Sequence, residues 1–133
     1  MTSCFVQTPF VETAMPDGAS RALPLLERAL ALESDYALAH GHAAVSHEIL
    51  FMRAGGRQEN RQAAIGHARV ALFHGRDDAT PLAEAGFVIA MVEHDLAAAR
   101  EAFEAAIALS SSSAFPYIMG SVVLGWADRP PTY

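Results

Sequence analysis

From position 18 onward, alanine and leucine recur at spacings of three and four, the period of an amphipathic helix, and the pattern persists almost to the end of the chain. It predicts six helices, at about 18–32, 36–53, 58–74, 79–92, 95–109 and 114–127, divided by polar or glycine-containing breaks. Asp17 or Ser20 offers a cap for the first helix, Ser34 or Asp35 for the second, Asp77 or Asp78 for the fourth, and Ser112 or Ser113 for the sixth. Their side-chain oxygens accept from the open amides of a first turn. Pro81 and Pro116 then fall in first turns, where proline is tolerated, while Pro24 sits near a first turn or at a kink. Gly55-Gly56 closes the second helix and Arg129-Pro130-Pro131 the last. Residues 1–17 carry β-branched and aromatic residues with two prolines and no helical period, which reads as an extended arm. The domain organisation expected is therefore this arm, one helical domain over 18–128, and a short tail over 129–133.

The helices repeat. Three segments carry an alanine, a residue four positions on, an alanine three after that, and then an aliphatic or similar residue: Ala22, Leu26, Ala29, Leu30; Ala64, Ala68, Ala71, Leu72; and Ala99, Phe103, Ala106, Ile107. The intervals are 64 − 22 = 42 and 99 − 64 = 35. Each segment is followed by a turn and a second kind of helix, aligned at His40, Ala43-Ala44, His47; Leu82, Ala85-Gly86, Ile89; and Tyr117, Gly120-Ser121, Leu124. A large residue, a small pair and another large residue let two helix axes approach closely while the grooves between them are filled, which specifies stacked antiparallel helix pairs.

This pattern resembles the tetratricopeptide repeat family, whose period is about 34 residues and whose paired helices carry the same large–small–large and A-x-x-x-F-x-x-A signatures. The best stretch is 95–109, with Ala99, Phe103 and Ala106, and 25–40 is nearly as good. The matches together cover about 18–127. The resemblance implies an all-α fold, an antiparallel helix-pair α-solenoid winding as a right-handed superhelix. The chain departs from the family at the proline that follows the second helix of each repeat, where Ser34, Arg76 and Ser111 stand instead. The long first interval is accommodated by the loop Arg53–Asn60. More loosely, the run from Ala64 through Gly86-Phe87-Val88 to Gly120 and Trp126 is similar to the repeats found with bacterial class III adenylate cyclases and transcriptional regulators, without any cyclase catalytic segment.

In the family, ligands lie along the groove lined by the first-type helices. Carried onto this chain, that face contains Leu38, Gly41, Val45 and Glu48, then Thr80, Ala83, Phe87 and Met91, then Phe115, Ile118, Val122 and Trp126. The resemblance thus implies an apolar groove for a protein segment, without the basic carboxylate clamp that some family members use. The array is incomplete at both ends, and its last helix offers Phe115, Ile118, Val122, Val123 and Trp126, so the arm, a second copy of the chain in a homodimer, or the rest of a larger protein is expected to cover it.

Composition narrows the functional classes. A chain of 133 residues suits one domain that buries roughly two thirds of its unfolded surface. Nine arginines and no lysine stand against 15 acidic residues, a net charge of −6, which argues against nucleic acid or an anionic membrane as the main partner. Hydrophobic residues make up 52% of the chain, yet no uninterrupted apolar run approaches the ~18 residues of a membrane span. The single cysteine, Cys4, forms no internal disulfide, so a cytoplasmic location is the default expectation.

Six histidines raise a metal reading, above all His40, His42 and His47 on one helix. His40 and His47 occupy the large-residue positions of the repeat, however, so packing accounts for them, and His67, His74 and His94 fall on expected exposed faces or turns. Cys4 and the run Ser110–Ser113 lack the fixed elbow that activates a nucleophile. Gly55-Gly56 is no phosphate loop, because no strand precedes it and no Gly-Lys-Ser pattern follows. The expectation is a noncatalytic scaffold without cofactor or metal that binds a protein or peptide, or itself. A second reading is a regulatory piece of a larger signalling protein, joined to a cyclase or a DNA-binding domain, and a His-dependent metalloenzyme has the least support.

The register makes a mutational prediction. Ala99→Leu or Ala106→Leu should overpack a helix–helix contact and cost about 1–3 kcal/mol. Thermal melting checks it, and an unchanged midpoint would contradict the register.

Overall fold

The computed structural model describes residues 15–109, and among them the fold is all-helical. Five helices follow in order: α1 (Pro16–Leu32), α2 (Ala37–Arg53), α3 (Gln58–His74), α4 (Ala79–Val88), which continues through one π-helical turn (Ile89–Glu93), and α5 (Leu96–Leu109). They correspond to the first five of the six helices predicted; the sixth, at 114–127, lies outside the described residues, as do residues 1–14 of the arm and the tail at 129–133.

Connections 33–36, 54–57 and 75–78 are four residues each. Four residues span at most ~14 Å, less than the ~25 Å length of a 17-residue helix, so each chain reversal lays the next helix antiparallel beside the last. Helix α2 packs on α1, α3 and α4; α3 also packs on α4, and α4 on α5.

Three buried clusters hold these contacts together. Leu26 of α1 meets Ala39 and Ala43 of α2. Ala44, Val45 and Ile49 of α2 join Ala64, Ala68 and Ala71 of α3 and Ala85, Val88, Ile89 and Val92 of the fourth helix. Leu82, Ala83 and Ala90 pack on Ala99, Phe103 and Ala106 of α5. The repeat positions Ala64, Ala68, Ala71, Ala99, Phe103 and Ala106 are all fully buried, as their spacing predicts. Ala22 and Ala29 of the first segment are only half-buried. The small pair Ala85-Gly86 does what its size allows: a Cβ added at Gly86 would lie 3.1 Å from Ala102 Cβ and 3.3 Å from the Ala99 carbonyl oxygen, so the α4–α5 approach leaves no room for a side chain there.

Several termini differ from the reading of the sequence. Helix α1 begins at Pro16, so residues 16 and 17 form its first turn rather than the end of the arm. Its φ is preset for that position, and no side chain caps it: Met15 is the capping residue, with neither Asp17 nor Ser20 in that role. Tyr36, not Ser34 or Asp35, precedes α2, again without a side-chain cap. Pro24 lies inside α1, past its first turn. Asp78 caps α4 as expected, accepting from the Thr80 amide at 3.2 Å.

After Val88 the helix widens into a π turn, which places Ile89, Ala90 and Val92 together in the interior. It stops at His94, whose φ of 60° is a left-handed conformation usually given to glycine or asparagine. Asp95 then starts α5 by accepting from the Ala98 amide at 3.1 Å, and its other oxygen receives Arg69 of α3 at 3.3 Å. Arg69 also donates to Glu93 at 2.8 Å, so one exposed guanidinium ties α3 to both sides of the break.

Asp95→Ala should lower unfolding free energy by about 1 kcal/mol, because the α5 amide loses its acceptor. Asp95→Asn should retain most of that stability, since the exposed ion pair contributes little. Urea unfolding of the two variants separates the cap from the charge.

Candidate functional site

The face drawn from the repeat register lies along α2 and α4. Leu38, Thr80, Phe87 and Met91 keep partial exposure, whereas Gly41, Val45, Glu48 and Ala83 are buried. Val45 belongs to the central apolar cluster, and Phe87 and Met91 pack against it, so the accessible part of this face is narrower than the sequence alone indicates. Burial pushes the Glu48 carboxyl up, against the pull of Arg53. Phe115, Ile118, Val122 and Trp126 lie outside the described residues.

The structure adds two polar clusters on opposite flanks of α2. On the α3 side, His40 Nε2 donates to the Ser34 carbonyl at 2.8 Å. In a neutral ring the other nitrogen, Nδ1, then accepts, so His67 Nδ1, 2.9 Å away, is the donor between them. His47 Nδ1 donates to Asn60 Oδ1 at 2.8 Å, and its ring lies nearly parallel to that of His67, with centroids 5.7 Å apart and planes 9° apart. His67 is therefore inserted between two histidines of α2 rather than solvated on an exposed face. Burial, followed by the adjacent His40 and His47, pushes the His67 imidazole down to about 4, which keeps it neutral near pH 7.

On the α4 side, His42 Nδ1 and Glu84 Oε2 are 2.6 Å apart. Burial draws the His42 ring down, but the hydrogen bond and charge of Glu84, with Asp78 behind it, outweigh that and hold it above its ordinary value. Burial pushes the Glu84 carboxyl up more than His42 pulls it down, and Asp78 adds to the rise. Both directions agree on one outcome: the pair keeps a proton between nitrogen and oxygen. The second carboxyl oxygen, Glu84 Oε1, is buried without a hydrogen-bond partner and lies 2.6 Å from where a Cβ on Gly41 would sit. A residue with a side chain at position 41 would therefore collide with this oxygen.

His74 is exposed and meets Phe73 edge-on at 4.9 Å, and His94 ends the π turn, as their expected surface or turn positions imply. Among the described residues, no group of three His, Cys, Asp or Glu side chains is arranged to hold a metal ion. No described helix is long and apolar enough to cross a membrane. No local spacing in the sequence marks the His42–Glu84 pair: the two residues stand 42 positions apart, and the packing of α2 on α4 brings them together.

Gly41→Ala should cost about 1–3 kcal/mol, because its methyl would strike Glu84 Oε1 and press on the Pro81 backbone at 3.2 Å. Gly66→Ala is the control, since nothing lies within 4 Å of an added Cβ there, and it should leave stability unchanged or raised. Chemical denaturation of both variants checks the contrast.

No family model, curated protein or solved structure matches this chain.

Proposed function

We propose that this chain is a noncatalytic scaffold of the tetratricopeptide type, an α-solenoid of stacked helix pairs that binds an apolar protein segment or a second copy of itself along the α2–α4 face. The observation that carries the reading is the direct packing of α2 on α4, two helices that are not consecutive in the chain. With α2–α3 and α4–α5 as the pairs, this is the contact by which one repeat stacks on the next. The full burial of the repeat alanines in both pairs supports the same register.

The partner class follows from chemistry. Phe87, Met91 and Leu38 combine apolar surface with partial exposure on the proposed face, which suits an apolar helix or strand. A net charge of −6 disfavours a polyphosphate backbone. The histidines of α2 are engaged with the Ser34 carbonyl, His67, Asn60 and Glu84, which supports a role in holding the helices together.

Light scattering across a concentration series, followed by titration with amphipathic apolar peptides, tests the proposal. The expected result is either a dimer or a monomer that binds a peptide saturably, with Phe87→Glu weakening that association at least about tenfold. A monomer at every concentration with no saturable binding, or association indifferent to Phe87→Glu, would overturn it.

A further inference from the structure

The contacts on the two flanks of α2 differ in kind. Toward α3, the 2.9 Å contact joins two imidazole nitrogens, and His40 has already committed its other N–H to Ser34. A first proton on His67 Nε2 leaves His67 Nδ1 donating to His40, but a second, which has only His40 Nδ1 to occupy, forces two N–H groups head to head between neighbouring cations. His47, stacked on His67, acts on the His67 ring in the same sense as His40. Toward α4 the contact joins a nitrogen and an oxygen, His42 and Glu84, and a proton between them is what makes it a hydrogen bond. We propose that α2 is a two-sided proton-responsive clasp: acidification loosens α3 at the His40–His67–His47 cluster while the His42–Glu84 seam with α4 stays closed.

The groups facing each side are consistent with this. His67 of α3 is faced by His40 and His47 of α2, and both act to lower it. His42 of α2 is faced by Glu84 of α4 and by Asp78 of the preceding connection, and both act to raise it. Glu48 of α2 interacts with Arg53 on its own helix. The charged groups between α3 and the π turn, Arg69, Glu93 and Asp95, pair with one another.

The sign follows from linkage. His67 sits at about 4 in the fold against an ordinary value of 6.5, so the unfolded or detached ring binds more protons between those limits. Its contribution to holding α3 is full above the ordinary value and is lost as pH falls through that window. His42 and Glu84 are both raised, so their contribution is full at low pH and fades as pH rises.

Hydrogen exchange of the full chain at pH 7 and pH 5, corrected for intrinsic rates, reads the two seams separately. Amides of α3 should lose protection by roughly tenfold between these values, and amides of α4 by less than about twofold. In His67→Gln, whose side-chain amide donates to His40 without taking up charge, the α3 loss should shrink to less than about threefold. Nitrogen NMR of the unaltered chain gives a second readout, independent of that variant's folding, with His67 expected in the Nδ1–H tautomer and uncharged at pH 6. The proposal is overturned if α3 and α4 lose protection together, if the variant retains the tenfold loss, or if His67 gains its proton above pH 6.

Discussion

Helix α2 has three helical neighbours, and that crowding governs the rest of the described structure. A helix enclosed on several sides needs small residues where the other backbones approach, and α2 supplies Ala39, Gly41, Ala43 and Ala44, all buried. The same enclosure draws in side chains that prefer water. His40, Ser46 and Glu48 are buried, and His42 and His47 are half-buried. A buried polar group without a partner costs several kcal/mol on the scale of its desolvation, so the neighbouring elements must provide partners. For the three histidines they do so with the Ser34 carbonyl, His67, Asn60 and Glu84.

Alanine-rich seams bring helices close but remove little apolar area per residue. The larger share of hydrophobic stabilisation therefore falls on a few anchors, Leu26, Val88, Ile89 and Phe103, each fully buried and each contributing on the order of 1.5–3 kcal/mol. Distributed over the three apolar clusters, these anchors leave no seam without at least one large side chain. The polar contacts act differently. A buried histidine or carboxylate adds little net stability over an apolar residue of similar size, yet it penalises any register in which its partner is displaced. His40–His67 and His42–Glu84 are best understood as such register constraints, one between α2 and α3 and the other between α2 and α4.

This division of labour connects packing to the proposed roles. The α2–α4 contact both stacks the proposed repeats and carries the partly exposed Leu38, Phe87 and Met91. The His42–Glu84 bond toward α4 and the proposed proton-labile cluster toward α3 give α2 two attachments of different chemistry. One contact pairs like groups, the other pairs a base with an acid.

The sequence by itself determined the helical class, the order of α1 to α5 and the register of the small seams, because periodicity and side-chain size are local properties. Its repeat pattern marks Ala64, Ala68, Ala71, Ala99, Phe103 and Ala106 as interior, and they are, whereas Ala22 and Ala29 of the same pattern are only half-buried. It did not determine where α1 begins, why α4 widens at Ile89, or that His67 turns inward, since each depends on what neighbouring helices leave vacant. Among the candidate groove residues, it identified a face but not its depth: Val45 and Glu48 are closed in by packing, while Phe87 and Met91 are not fully covered. Only the tertiary structure decided which polar residues meet. His40 and His67 are 27 positions apart and His42 and Glu84 are 42 apart, and proximity at that range is set by helix packing rather than by any spacing a helix can impose on its own sequence.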